Sequence, residues 1–311
     1  MIRSILVPLD GSSFGEHALP WAIGIARLAK AKLQLLHVHR PLEATYAEMQ
    51  VFDATLDKQL RDREQAYLDA MIKKINETGG VSATAVSVDG EVAPSVCKHA
   101  ASAGIDLIVM TTHARGPLGR FWLGSVTDQL LRETPKPLLV VHPKDTIADL
   151  HDHQPFEHIL VPLDGTPLAE QILEPAGALA KLTGAQIKLI RVVQPVAPMN
   201  LPGGVGAFGE VAHHMMDRID ELHGELKSEA RDYLEKVAER LRGQGLTVNT
   251  QVAVAEQPGV SILACAEAPI DLIALETHGR RGLSRLFLGS VADKVIRGAH
   301  VPVLVQQPVH K

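Results

Sequence analysis

The stretch ILVPLDG occupies residues 5–11, and the identical stretch returns at residues 159–165. A continuous apolar run that ends in Pro, Asp and Gly is typical of a buried parallel strand followed by a tight turn. The copies lie much farther apart than the roughly 20 to 50 residues of a solenoid repeat. The repetition therefore predicts two duplicated domains.

A second repeated stretch supports the duplication. LGSVTDQLLRETPKPLLVV begins at Leu123, and LGSVADKVIRGAHVPVLVQ begins at Leu288. The two repeated stretches are spaced more widely in the second copy, which indicates an insertion in the Pro- and Gly-rich residues 194–210. The polar residues 143–157 between the copies are typical of a linker. We predict a first domain, a linker and a second domain at residues 1–145, 146–156 and 157–311.

Short β-branched runs alternate with amphipathic segments in each copy. In the first copy the predicted strands lie near residues 2–8, 32–39, 81–88, 106–111 and 137–142. The predicted helices span residues 16–29, 57–77, 94–103 and 126–133, and the second copy adds a long polar helix over 211–242. This alternation is typical of a parallel sheet covered on both faces. The predicted fold class is α/β, with two doubly wound, five-stranded parallel-sheet domains.

The composition excludes several classes of protein. The chain has 311 residues, of which 46% are hydrophobic and 4% aromatic, so Val, Leu, Ile and Ala must build the core. A net charge of −5 gives no general attraction for nucleic acid or an anionic membrane. No apolar run approaches the roughly 20 residues that span a bilayer, and no signal peptide precedes the first strand. We expect a cytoplasmic protein with neither nucleic acid nor membrane as a partner.

Unusual residues gather where the predicted strands end, which is where ligands bind in open parallel sheets. Asp10 and Asp164 follow the first strands, and Gly124-Ser125 and Gly289-Ser290 stand at the entrance of the fourth helix. Free N–H groups at a helix start favour a phosphate. Structural alternatives stay open, since serine also serves as an N-cap and aspartate forms Asx turns. Solvated charge is the alternative for the loop arginines, Arg115, Arg120, Arg280, Arg281 and Arg285.

Both halves resemble the universal stress protein family in its tandem form, over nearly the whole chain apart from the linker and the long second-copy loop. Nucleotide-binding members of that family carry a G-x2-G-x9-G-[ST] signature after the fourth strand. The second copy fits it at three positions and reads Glu276-x2-Gly279-x9-Gly289-Ser290. The first copy fits at the last two and reads Thr111-x2-Ala114-x9-Gly124-Ser125. The resemblance implies an adenine nucleotide alpha hydrolase-like fold with strand order 3-2-1-4-5.

The resemblance also implies ATP as the ligand, with Mg²⁺ at the phosphates left open. In the first copy the implied nucleotide contacts are Pro8, Asp10, Val38, Met110, Ala114, Gly124, Ser125 and Val126. In the second copy they are Pro162, Asp164, Val192, Leu275, Gly279, Gly289, Ser290 and Val291.

The second copy departs from the signature at one glycine position, Glu276, and the first copy departs at two, Thr111 and Ala114. Ala114 brings a Cβ to a place where the family has glycine for close backbone approach. A carboxylate at Glu276 repels a triphosphate, unless it accepts a hydrogen bond from a ribose hydroxyl, as acidic residues do in dinucleotide folds. The second site ranks first because Gly279 and Gly289 both match.

Other chemistries find less support in the sequence. The pairs His37-x-His39, His151-x-His153 and His213-His214 lack the third well-spaced ligand of a zinc site. No Walker-type G-x4-G-K-[ST] stretch occurs, and no nucleophile–base pair stands out. We therefore expect a nucleotide-dependent conformation or partner interaction in the stress response and no catalytic residue. The alternatives are a slow ATPase or nucleotide hydrolase, and a structural member with empty sites.

The last strand of each copy is apolar, at residues 136–142 and 301–307. By the resemblance, these strands lie at a sheet edge. An open apolar edge invites pairing with another strand, because its N–H and C=O groups lack partners. We expect the two domains to pair with each other through these strands. A homodimer of the whole chain would then use another surface, for which the long helix is the candidate.

Overall fold

In the computed structural model, the described residues are 1–41, 54–112, 123–144, 146–152, 156–195, 209–267, 269–277 and 288–307. The strands of the first half are β1 (Ser4–Pro8), β2 (Lys32–His39), β3 (Ala83–Asp89), β4 (Leu107–Thr111) and β5 (Leu138–Val141). Its helices are α1 (Leu19–Ala29), α2 (Ala54–Thr78), α3 (Val92–Ser102) and α4 (Ser125–Glu133).

The second half repeats this order of elements. Its strands are β6 (His158–Pro162), β7 (Gln186–Val193), β8 (Val248–Val254), β9 (Leu272–Glu276) and β10 (Val303–Gln306). Its helices are α5 (Leu173–Thr183), α6 (Gly209–Arg242), α7 (Pro258–Cys265) and α8 (Ser290–Gly298). A short 3₁₀ turn precedes the first helix of each half, at Gly15–Ala18 and Ala169–Ile172.

The strands of the described chain form one sheet in the order β3-β2-β1-β4-β5-β10-β9-β6-β7-β8. Within each half the strands are parallel and follow the order 3-2-1-4-5, which confirms the predicted fold class. The halves meet where β5 and β10 run antiparallel, with Val303 opposite Val140 and Leu304 opposite Leu139. Because the strand direction reverses there, the carboxyl ends of the strands point in opposite directions in the two halves.

The repeated stretch ILVPLDG has a local structural reason. Its apolar residues form a strand that is buried on both faces, at Ile5–Val7 and again at Ile159–Val161. The backbone then turns through Gly11, with φ of 82°, and through Gly165, with φ of 89°. Glycine adopts this left-handed conformation at no steric cost, whereas a side chain there is strained. The final glycine is therefore required by the turn.

Apolar layers cover both faces of the sheet, and each layer contains residues of both halves. Trp21 of α1 stacks on Phe156, with ring centroids 5.2 Å apart and the planes 11° apart. Phe156 is 1% exposed, although it belongs to the residues predicted as a linker. The end of that segment is therefore part of the core. The domain boundaries stay a prediction.

The described helices include none that combines the length and the apolarity needed to cross a bilayer.

The β5–β10 contact generates a prediction for Val303→Glu. The Val303 side chain is fully buried in that ladder, and an unpaired buried charge costs about 3 kcal/mol or more. Urea unfolding should show a loss of at least that size. The control is Val254→Glu, the same change on the outer strand β8 at a residue that is 43% exposed, which should cost far less. Equal stabilities of the two variants would contradict the importance of the contact.

Candidate functional site

An aspartate turn ends the first strand of each half. One carboxylate oxygen of Asp10 accepts the Ser12 N–H at 3.0 Å and the Ser12 hydroxyl at 2.6 Å. Asp164 accepts the same two groups from Thr166, at 2.9 and 2.7 Å. The hydroxyl in turn accepts an N–H at the 3₁₀ turn, at 3.2 Å in both halves. The structural alternative for these aspartates, an Asx turn, is therefore observed.

Glycine occupies the cap position of the fourth helix in each half. Gly124 has φ of −60° and ψ of 149°, and Gly289 has φ of −60° and ψ of 141°. Ser125 and Ser290 are the first residues inside their helices. The alternative that these serines are N-caps is therefore wrong in both halves, because the extended cap residue is the glycine before each serine.

The N–H groups at this helix start are arranged alike in both halves. The Gly124 N–H donates to the Thr112 carbonyl and the Gly289 N–H to the Thr277 carbonyl, both at 2.8 Å. These bonds draw the helix start to the end of β4 or β9. A helix leaves the N–H groups of its first turn without intrahelical acceptors, at the positive end of its dipole. These N–H groups belong to Ser125 and Val126 in the first half and to Ser290 and Val291 in the second half.

Sequence reasoning missed an ion pair beside this helix start. Asp128 contacts Arg132 one turn later at 2.7 Å, and Asp293 contacts Arg297 at 2.7 Å. The aspartate recurs at the same place in both copies of the LGSV stretch, so the repeat could have revealed it. Each arginine balances a carboxylate that would otherwise oppose an anion near the helix entrance.

The apolar residues implied as nucleotide contacts share one layer. Met110 is 7% exposed and Leu275 is 5% exposed, and both belong to the apolar cluster on the face covered by α3, α4, α7 and α8. Four half-buried valines pack against the same cluster, namely Val38, Val126, Val192 and Val291. Pro8 and Pro162 end β1 and β6, opposite Leu36 and Ile190.

Ala114 and Gly279 lie outside the described residues, as do the loop arginines. The structure therefore leaves their predicted contacts untested. Among the residues that it does describe, no cluster of three or more His, Cys, Asp or Glu side chains could hold a metal ion.

Glu276 lies at the end of β9 with its side chain buried. The residue is 7% exposed, and neither carboxyl oxygen has a hydrogen-bond partner in the structure as described. Burial raises the pKa of Glu276 to about 9, which the nearby Thr277 N–H offsets in part. The carboxyl is therefore uncharged at neutral pH, and the repulsion expected between it and a triphosphate does not apply there. Thr111 occupies the corresponding place in the first half.

A second feature missed by sequence reasoning is a tyrosine near a glutamate in each half. The Tyr233 hydroxyl donates to Glu170 at 3.1 Å, and burial and the Glu170 charge raise its pKa. Burial and the charge of Glu16 likewise raise the pKa of Tyr67. Each glutamate follows the strand-end aspartate at the same spacing, which is the signal that the sequence offered.

The second half also places a cation beside its aspartate turn. The Arg191 guanidinium lies 5.2 Å from the centre of the Tyr233 ring. A Cβ added to Gly165 would approach that guanidinium to 3.2 Å. The side chain is therefore packed closely against the residue that follows Asp164.

A family comparison agrees with this geometry. The model of the universal stress protein family matches residues 1–142 and 155–307. The chain belongs to the universal stress protein family. The two matched segments correspond to the two halves of the sheet, so this is a tandem universal stress protein.

Relatives and solved structures match over the full tandem length. A universal stress protein of Mycobacterium tuberculosis is 26% identical over 97% of this chain and 96% of its own. One from Mycolicibacterium smegmatis is 27% identical over 98% of this chain and 97% of its own. The crystal structure of a universal stress protein from Archaeoglobus fulgidus covers 98% of this chain and 96% of its own, with 20% identity and a TM-score of 0.65. The last likeness supports the fold alone.

Buried Glu276 generates a prediction about pH. Between the ordinary pKa of a glutamate and about 9, the folded chain holds a proton that the unfolded chain releases. Stability should therefore fall by about 1 kcal/mol per pH unit as the pH rises through this window. Glu276→Gln carries no such proton, so its stability relative to the unchanged chain should grow from pH 5 to pH 8 in urea unfolding.

The control for that experiment is Glu239→Gln, the same change at an exposed position of α6. It should leave the pH dependence unaltered. If Glu276→Gln also left it unaltered, the carboxyl would not be held neutral by burial.

Proposed function

We propose that this tandem universal stress protein binds ATP or a related adenine nucleotide at the carboxyl ends of its strands. Its output is then a nucleotide-dependent conformation or partner interaction, without catalytic turnover. The observation that carries the proposal is the helix start that repeats in both halves. A glycine cap without a side chain, a serine in the first turn and free N–H groups at the positive helix end form a suitable anion site.

The other parts of the site suit a nucleoside. The apolar layer around Met110 or Leu275 offers a surface for a base at the adjacent strand ends. Asp10 and Asp164 supply carboxylates, which accept hydrogen bonds from ribose hydroxyls in other nucleotide-binding α/β folds. With no metal cluster among the described residues, Mg²⁺ would take most of its oxygen ligands from phosphate and water.

The pairing of the halves belongs to the same proposal. The β5–β10 ladder gives each apolar final strand a partner, so the chain forms a pseudo-dimer by itself. Two nucleotides would then bind at opposite edges of one sheet. A homodimer of whole chains through α6 stays a prediction.

Two alternatives have distinct signatures. A slow ATPase or nucleotide hydrolase would release phosphate steadily, and it would need a residue that orients water and a cation at the γ-phosphate. A structural member with empty sites would release no nucleotide on denaturation of the freshly purified protein, as judged by mass spectrometry. The proposed function predicts bound adenine nucleotide without steady phosphate release.

Gly289→Val tests the phosphate site of the second half. The backbone angles at Gly289 are ordinary extended values that valine adopts, so the variant should fold. Its side chain would occupy the space in front of the first-turn N–H groups. Calorimetry should show one ATP site fewer per chain, and Gly124→Val should remove the other. Unchanged stoichiometry in a folded Gly289→Val chain would contradict the assignment.

Asp164→Ala separates the ligand role of the aspartate from its role in the turn. Loss of the turn alone costs about 1 kcal/mol of stability. The matched control is Thr166→Val, which removes the hydroxyl bond to Asp164 but keeps the carboxylate. Both variants should be less stable, and Asp164→Ala alone should bind ATP at least tenfold more weakly, about 1.4 kcal/mol. Equal ATP affinity in the two variants would restrict Asp164 to the turn.

A further inference from the structure

The end of β2 carries two histidines that the proposed function does not use. His37 is 8% exposed and His39 is 1% exposed, and both lie on the sheet face that α2 covers. Alternate residues of a strand point to one face, which explains why both rings meet the same helix. Polar rings buried this deeply need hydrogen-bond partners.

Both ring nitrogens of His39 face carboxylates of α2. Nδ1 lies 2.8 Å from a Glu64 oxygen, and Nε2 lies 3.1 Å from an Asp57 oxygen. An ionised carboxylate only accepts hydrogen bonds, and a neutral imidazole has a single N–H. If the ring carried one proton, the lone pair of its other nitrogen would point at a carboxylate oxygen. The doubly protonated ring satisfies both contacts.

His37 is in the same situation. Its Nδ1 lies 2.8 Å from the Leu9 carbonyl oxygen, which accepts only, so Nδ1 must carry a proton. Its Nε2 lies 3.4 Å from the second oxygen of Glu64, and that contact is attractive when Nε2 also carries a proton. Glu64 is therefore shared by two rings. The contact with Leu9 ties the cluster to the end of β1, next to Asp10.

The surrounding charges balance when both rings are cationic. The Arg61 guanidinium contacts Asp57 at 2.9 Å and Asp89 of β3 at 2.7 Å. Arg61 also lowers the pKa of the Asp89 carboxyl. Three positive side chains then balance three negative ones, namely His37, His39 and Arg61 against Asp57, Glu64 and Asp89. Loss of both ring protons leaves surplus negative charge at Asp57 and Glu64, the largely buried members of the cluster, which is unfavourable.

Among the described residues, the other charged groups near β2 do not replace these protons. Arg40 pairs with Glu91 at 3.3 Å, and both side chains are exposed. His99 of α3 lies against the opposite face of the strand and bonds Gln34. Glu16 of the 3₁₀ turn before α1 and Tyr67, farther along α2, lie on the side of Asp10. Within the described part of the chain, protonation of the two rings therefore changes the net charge beside Asp57 and Glu64.

The second half lacks this cluster. Leu36 and Ile190 hold equivalent places opposite Pro8 and Pro162, so Arg191 corresponds to His37 and Val193 to His39. Arginine stays charged at all relevant pH values, and valine does not titrate. The molecule thus contains one half with titratable rings at this position and one half without them.

We propose that His37, His39 and Glu64 form a proton-dependent latch, which fastens the start of α2 to the ends of β1 and β2 when both rings carry two protons. The latch loosens when the rings lose these second protons. The second half has Arg191 and Val193 at these positions and therefore no corresponding dependence on ring protonation. This inference needs no bound nucleotide, so it stands apart from the proposed function.

Hydrogen exchange of the full chain tests the latch. After correction for intrinsic exchange rates, amides at residues 57–64 should lose protection about tenfold or more between pH 5.5 and pH 8. Amides at residues 230–242 of α6, the corresponding helix of the second half, should change much less. His39→Gln should show weak protection at both pH values, whereas the control His99→Gln should behave like the unchanged chain.

A direct measurement keeps the test independent of variant folding. Nitrogen NMR of the histidine rings in the unchanged chain should show both His39 nitrogens protonated at pH 5.5. A ring with one unprotonated nitrogen at that pH would overturn the proposal, and so would pH-independent protection of residues 57–64. An equal effect of His99→Gln and His39→Gln would also overturn it.

Discussion

The antiparallel contact between β5 and β10 is the constraint on which the arrangement of the molecule depends. Each half is a parallel sheet whose last strand is apolar, and an unpaired apolar edge exposes backbone groups that must find partners. Pairing these two strands joins the halves into one sheet and reverses the strand direction at its centre. Because of this reversal, the carboxyl ends of the strands point in opposite directions in the two halves. The two candidate sites are therefore far apart, and each consists of residues of its own half. The Trp21–Phe156 stack then packs the linker end onto the same assembly.

The halves share a scaffold but differ in the charges placed upon it. Both keep the aspartate turn, the glycine cap and the ion pair in the fourth helix. At the end of the fourth strand, however, the first half has Thr111 where the second half has Glu276. At the end of the second strand, His37 corresponds to Arg191. The two halves therefore share backbone contacts but differ in the side chains that set local charge beside the two candidate sites.

Sequence patterns predicted the elements well where the pattern is local. The strand predicted at residues 32–39 matches β2, because its apolar alternation and flanking residues lie within one element. The alternative that Ser125 is an N-cap is wrong because backbone angles decide the cap position, and Gly124 before it has the extended cap angles. The burial of Glu276 and the partners of His39 could not be predicted. Both depend on tertiary contacts at a strand end. For example, Glu64 of α2 contacts the His39 ring at the end of β2.

Some repeated residues have a clear role in folding, whereas others indicate a bound ligand. Each residue type in the stretch ILVPLDG has a role in folding, since its strand is buried, its aspartate holds a turn and its glycine has a positive φ. Its exact repetition therefore says little about binding. The helix entrance differs, because Gly124 and Gly289 have angles that any residue adopts. These angles do not require glycine, whereas the proposed anion site at the first-turn N–H groups gives a reason for the missing side chain. The argument for a nucleotide accordingly rests on the second repeated stretch.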